Sequence, residues 1–164
     1  MKILINAGPT RESIDPVRFI SNHSTGKMGY ALADAAIRAG HAVTLVSGPV
    51  SLTPPEGLAE LVRVVTAAEM AEAMKSRFPE MELTVLCAAV ADYRPRIAAA
   101  SKLKKQPGGL TLELERTEDI ALSLGQKTRI TCLPESRNSL ICITIRGKSF
   151  GSVSRRVPAL TTTR

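Results

Sequence analysis

Along residues 2–127, short apolar runs alternate with amphipathic stretches. Residues 2–7 (KILINA) read as a buried strand closed by Gly8-Pro9. Between 26 and 39, Met28, Ala31, Leu32, Ala35 and Ala36 fall on one face at helical spacing, and Gly40 stands where a C-terminal cap residue stops a helix. Residues 41–47 (HAVTLVS) predict a second strand, broken by Gly48-Pro49, and residues 61–65 a third. Thr66-Ala67-Ala68-Glu69 has capping-box spacing and opens a helix that runs to Phe78, before Pro79. Residues 83–89 (LTVLCAA) are apolar throughout, which predicts a central strand, whereas 110–115 (LTLELE) alternate like a half-exposed edge strand. Thr117-Glu118-Asp119 caps a last short helix. This order predicts an α/β, Rossmann-like three-layer fold with a mainly parallel sheet.

After residue 127 the alternation stops. Residues 1–126 carry 14 basic and 14 acidic side chains, while residues 127–164 carry 8 basic and one acidic, Glu135, so the whole +7 excess lies there. That segment is rich in Ser, Thr and Arg, and only 140–145 reads as a strand. The expectation is therefore a folded part over 1–127 and a divergent, irregular basic tail over 128–164, leaving the sheet incomplete on its C-terminal side. A basic arm for nucleic acid is the alternative use of such charge, disfavoured because the folded part is neutral.

Composition narrows the setting. Aromatic residues are 3% of the chain and Trp is absent, so the core must rest on Ala, Val, Leu and Ile. No apolar run approaches membrane-spanning length and nothing near Met1 resembles a signal peptide, so the expectation is a cytoplasmic protein with no membrane partner. Cys87, Cys132 and Cys142 have no metal-ligand spacing and cannot all pair, which suits a reducing compartment.

Residues 21–30, SNHSTGKMGY, look like half of a phosphate-binding loop. A Walker loop needs Gly five positions before Gly26 and Ser or Thr after Lys27, and here Ser21 and Met28 stand there. The dinucleotide fingerprint is absent too, because the first strand is followed by GPTRE. What remains is a helix start carrying Ser24, Thr25 and Gly26, whose free N–H groups and dipole suit an anion. A plain helix cap by Ser24 or Thr25 explains the same residues equally well.

Two long connections favour a ligand. Residues 8–25 far exceed the usual strand-to-helix link of about two to six residues, and long ordered loops of this kind are usually binding loops. Residues 88–109 leave the carboxyl end of the central strand, where ligands sit in open parallel sheets, and carry Asp92 and the cluster Lys102, Lys104, Lys105 on a Gly-ended flap. A triphosphate needs such lysines, and Asp92 could hold a metal or a sugar hydroxyl.

The runs AGPTRESIDPVRFISNHSTGKMG, VTLVSGPVSL, CAAVADY and KLKKQ closely resemble the phosphopantothenate-cysteine ligase domain of the bacterial bifunctional coenzyme A biosynthesis protein, over about residues 2–127. The resemblance implies a dimeric Rossmann-like enzyme in which CTP, with Mg2+, activates the carboxylate of 4'-phosphopantothenate as an acyl-cytidylate. Cysteine then displaces CMP, and the lysine flap reaches toward the partner's site. The implied catalytic residues are Asn22, which stabilises the intermediate, and Lys102 of the flap. The implied nucleotide and anion contacts are Gly8, Thr10, Ser24, Thr25, Gly26, Cys87 through its backbone, Ala88, Ala89, Asp92, Lys104 and Lys105. They extend to Glu118, Asp119, Ile120 and Ala121, with Glu118 standing where the family carries Pro. Asp92 is the candidate Mg2+ contact, through the metal-bound triphosphate. A flavin-dependent decarboxylase domain, holding FMN, is the expected fusion or partner.

The family's further strand with a glycine-phenylalanine-alanine segment, and its later lysine-rich motif, are not found after residue 127. A truncated or frame-shifted reading accounts for the change. The alternative to an active ligase is an inactive nucleotide- or pantothenate-binding remnant lacking those motifs.

Overall fold

The computed structural model describes residues 1–105, 107–125, 130–135 and 139–145. In chain order its elements are β1 (Lys2–Ala7), β2 (Arg11–Ser13), β3 (Phe19–Ser21), α1 (Lys27–Arg38), β4 (Ala42–Ser47), β5 (Glu60–Arg63) and α2 (Ala67–Arg77). They continue with β6 (Leu83–Leu86), β7 (Tyr93–Pro95), β8 (Leu114–Arg116), α3 (Ile120–Gly125), β9 (Ile130–Glu135) and β10 (Ser139–Ile145). The main sheet has the order β5-β4-β1-β6-β10-β9. β1 pairs in parallel with β4 and β6, and β4 with β5, so four parallel strands form the Rossmann-like unit that the pattern predicts.

The helices cover both faces, as a parallel sheet requires. Ile3, Ile5 and Ala7 of β1 pack with Val43, Leu45 and Val85 against Tyr30 and Ala33 of α1. The alternate residue Leu4 joins Val46 and Leu86 against Met70 and Met74 of α2 and Ile120 and Leu124 of α3. The capping box of α2 is present: Glu69 N–H donates to Thr66 Oγ1 at 3.1 Å, and Thr66 N–H donates to Glu69 Oε2 at 3.3 Å. Phe78, buried after α2, opens a 3₁₀ turn. Asp119 Oδ1 accepts the Leu122 N–H at 2.9 Å, the cap expected for α3.

Three expectations are corrected. The buried residues of α1 are Gly29, Tyr30 and Ala33, while Met28 is 50% exposed. Apolar residues occur all round this Ala-rich helix, so spacing gives its period but not its phase. The phase is set by Gly29, where an added Cβ would lie 2.4 Å from Ala7 Cβ, so α1 rests on β1 there. Secondly, the alternating 110–115 stretch is no edge of the main sheet: β8 begins at Leu114 and pairs antiparallel with β7 in a separate ribbon.

The third correction concerns the tail. Residues 130–135 and 139–145 are antiparallel strands, with β10 aligning Ile143 with Val85 and Cys142 with Leu86, so the irregular reading fails at those residues. SLICITI is apolar and β-branched, and it pairs the edge of β6 that would otherwise present unmet N–H and C=O groups. The rest of 128–164 lies outside the described residues.

Candidate active site

β1 and β6 end side by side, and the segment after β6, residues 87–92, forms a wall held by the loop after β1. Asn6 is 2% exposed, and its Oδ1 accepts the N–H groups of Cys87 at 2.8 Å and Ala88 at 3.0 Å. Its Nδ2 faces Met70 Sδ at 3.7 Å. Gly8 O accepts the Ala89 N–H at 2.9 Å, and Thr10 N–H donates to Ala89 O at 3.2 Å. The fully buried Thr10 accepts the Ala91 N–H on its Oγ1 at 2.9 Å. Asn22 Nδ2 donates to Ala89 O at 3.1 Å and to Val90 O at 3.2 Å. Sequence reasoning passed over Asn6; its signal was a polar residue on the core side of an otherwise apolar strand.

Thr10 is thus part of the wall's support and lines none of the three cavities below. Cys87 has its N–H taken by Asn6, its Sγ donates to Asn6 O at 2.9 Å, and it is not among the lining residues of the three cavities below. Burial pushes its thiol up to about 12.

On one side of the wall lies a cavity of about 540 Å³, lined by Ala88, Val90, Asp92 and the 118–121 segment, with Asn6 at its base. Of the expected residues it brings together Ala88, Asp92, Glu118, Asp119, Ile120 and Ala121. Its volume is that of a typical small-ligand site. Glu118 accepts from Lys75 Nζ at 2.8 Å and from Ser123 Oγ at 2.7 Å, and Lys75 foremost holds its carboxyl below the ordinary range. Thr117 Oγ1 donates to Ala91 O, tying the 118–121 segment to the wall. Among the described residues the Asp92 carboxylate has no hydrogen-bond or ion-pair partner, and no group of three or more His, Cys, Asp or Glu could hold a metal. One free carboxylate in a cavity suits Mg2+, which is commonly held by one or two carboxylates plus substrate phosphates.

A second cavity, of about 480 Å³, is lined by Asn22, Ser24, Thr25, Lys27 and residues 49–52. α1 begins at Gly26 (φ 77°) with no side-chain cap, so neither Ser24 nor Thr25 closes the helix. Ser24 Oγ instead accepts the Gly26 N–H at 3.3 Å. Gly8 (φ 79°) and Gly26 touch back to back: a Cβ on Gly26 would lie 2.8 Å from Val50 Cγ1 and 3.3 Å from Gly8 Cα. Neither glycine lines the cavity; they pack together behind Val50, and the uncapped first-turn N–H groups of α1 remain for an anion.

The flap forms a third cavity, of about 730 Å³, where Lys102, Lys104 and Lys105 stand with Arg18. Asp92 and the α1 start are not among its lining residues.

The family described as DNA/pantothenate metabolism flavoprotein C-terminal domain matches residues 1–133. Among curated proteins, the coenzyme A biosynthesis bifunctional protein CoaBC of Bacillus subtilis (strain 168) is 55% identical over 127 residues, 77% of this chain and 31% of that protein. CoaBC of Escherichia coli (strain K12) is 52% identical over 124 residues, 73% of this chain and 30% of that protein. The crystal structure of the C-terminal domain of CoaBC matches with TM-score 0.66 and 46% identity, over 76% of this chain and 58% of that one. A Cab2 mutant complexed with phosphopantothenate-cysteine, 20% identical with TM-score 0.63 over 76% of this chain and 59% of that one, shares the fold. The chain spans about a third of the length of the curated relatives it matches. Among the described residues, no helix is long and apolar enough to cross a membrane.

Proposed function

The chain belongs to the DNA/pantothenate metabolism flavoprotein C-terminal domain family, and from that premise we propose that it ligates cysteine to 4'-phosphopantothenate in coenzyme A biosynthesis, with CTP as the activating nucleotide. The observation that carries this reading is Asn22, which lines one cavity and donates to Ala89 O and Val90 O of the segment whose Ala88 and Val90 line another. A reaction that first joins a carboxylate to a nucleotide needs two ligand sites meeting at one polar side chain.

In this scheme the nucleotide occupies the cavity of Ala88, Asp92 and the 118–121 segment, and the phosphate of phosphopantothenate binds at the uncapped α1 start beside Ser24 and Thr25. The substrate carboxylate attacks the α-phosphorus of CTP and pyrophosphate leaves with the electrons of the broken P–O bond. The cysteine amine then attacks the acyl carbon, loses a proton, and CMP leaves. Asp92 holds Mg2+ together with the triphosphate, whose charge the metal offsets. Both amide hydrogens of Asn22 lie on Ala89 O and Val90 O, so one of these bonds is exchanged for the acyl-phosphate oxygen as the intermediate forms. Lys102 serves amide formation from the flap, in a homodimer. FMN belongs to a decarboxylase domain fused to or partnered with this one.

The test is CTP-dependent pyrophosphate release with 4'-phosphopantothenate, with and without cysteine. The expected result is release that requires both substrates, with amide product only when cysteine is present. CTP binding without pyrophosphate release would instead identify an inactive nucleotide-binding remnant.

A further inference from the structure

Two segments far apart in sequence meet at Asp15, whose side chain is fully buried. Its Oδ1 accepts the N–H groups of Val17 at 2.9 Å and Arg18 at 2.8 Å, closing a turn over Pro16. Its Oδ2 accepts Arg18 Nε at 3.0 Å and Nη2 at 2.5 Å, a two-point ion pair. The same Oδ2 accepts the N–H of Leu103 at 3.1 Å, 88 residues away, and Arg18 Nη2 donates to the Leu103 carbonyl at 3.0 Å. One ion pair therefore grips both backbone groups of a single flap residue. A second tie lies four residues earlier, where Ala99 N–H donates to Ile14 O at 2.9 Å.

Leu103 sits between Lys102 and Lys104, and these two, with Lys105 and Arg18, line one cavity. Four like charges around one space repel each other and would spread an untethered flap. Among the described residues no acidic side chain lines that cavity; Asp15 is bonded to Arg18 and to the Leu103 N–H.

We infer that Asp15 is a positioning residue of the ligation reaction: without touching a reacting atom, it clasps Arg18 and Leu103 so that the flap presents Lys102 in one place. The activity half of this inference rests on the ligase reading, and the docking half does not.

The experiment pairs amide hydrogen exchange of the ligand-free chain with separate assays of pyrophosphate release and amide formation, for wild type, Asp15→Asn and Leu103→Pro. Asp15→Asn keeps the side chain's size and removes its charge. Leu103→Pro removes the flap N–H and leaves the Asp15–Arg18 turn intact, while also replacing the leucine side chain, fixing φ at 103 and restricting Lys102 before it. Both variants should raise exchange across 99–105 at least tenfold while β1, β4 and β6 stay at the wild-type level. Both should slow amide formation at least tenfold with the KM for CTP unchanged. In a Lys102→Gln background, Asp15→Asn should add less than a twofold further loss, because it acts through that lysine. Unchanged flap exchange overturns the clasp whether or not the chain is a ligase, and faster exchange with unchanged amide formation overturns the positioning role. If Asp15→Asn loosens the whole sheet, Leu103→Pro alone decides: wild-type exchange and rates in that variant overturn the inference. A wild-type chain that releases no pyrophosphate counts against the ligase reading, and the exchange comparison still decides the clasp.

Discussion

Asn6 Oδ1 accepts the backbone N–H of Cys87 at 2.8 Å, across 81 residues of chain. The continuous parallel pairing of β1 with β6 ends at Asn6 and Leu86, and the two chains meet again at a bridge between Pro9 and Ala89. The next two N–H groups of the β6 side lose their ladder partners there, and one side-chain amide supplies the acceptor for both. The start of the wall thus depends on Asn6.

Asn6→Leu keeps the branched outline of the side chain, in a somewhat larger form, and removes the acceptor. Each N–H left unpaired in a buried site costs about 1–3 kcal/mol, so urea unfolding should show a lower midpoint with an unchanged slope. CTP affinity should fall with it, since Ala88 lines the cavity proposed for the nucleotide. A stability change within about 0.5 kcal/mol, the range of an ordinary surface substitution, would mean that the wall does not need Asn6.

Gly29→Ala sets two effects of opposite sign against each other. Replacing a glycine inside a helix by alanine ordinarily gains up to about 1 kcal/mol, and Gly29 lies in the first turn of α1. Here the new Cβ would lie 2.4 Å from Ala7 Cβ and 3.0 Å from Cys87 Sγ. α1 must then back away from β1, and overpacking of this kind costs about 1–3 kcal/mol. The steric term wins, and the melting temperature should drop; a rise would show that α1 does not sit as close to β1 as this packing implies.

Arg18 foremost, against the opposing effect of burial, holds the Asp15 carboxyl well below the usual carboxylate range. A group whose pKa is depressed in the folded state stabilises above its unfolded pKa and loses that contribution as pH falls toward the folded value. The stability gap between wild type and Asp15→Asn should therefore stay constant from about pH 7 to 5 and shrink below about pH 4, where the unfolded carboxyl takes up its proton. Chemical denaturation across that range checks it, and a gap that widened toward low pH would contradict the ion pair with Arg18.

The parallel unit was legible because apolar runs, breakers and the Thr66–Glu69 capping box all point the same way. The phase of α1 was not, because alanines give a period without a preferred side, and close approach at Gly29 decides it. β9 was missed because Ser, Thr and Arg around 130–135 dilute the alternation, and its pairing with β10 is purely tertiary information. At the site, the sequence brought Asp92 and 118–121 to one cavity, yet it gave no means to see that Lys102 lines another. Asp15 was hidden because its partner is a backbone amide, which every residue but proline carries.

Asn22→Asp tests the centre of the proposed chemistry. The wild-type amide gives both hydrogens to the carbonyls of Ala89 and Val90, the two oxygens that a carboxylate at this position would face with nothing to donate. Asn22 is exposed, so water relieves much of that repulsion in the free protein and folding should be little affected. When both ligands of the proposed reaction bind, water leaves, and the carboxylate meets an acyl phosphate of its own sign. Loss of one such donor to a developing anion typically costs about 3–4 kcal/mol, which predicts a fall in amide formation of about a hundredfold to a thousandfold with the KM for CTP little changed. Asn22→Ala, which lacks the donor but adds no charge, should fall less. Single-turnover measurement of both half-reactions distinguishes the cases, and equal losses in the two variants would remove the charge argument while keeping the donor.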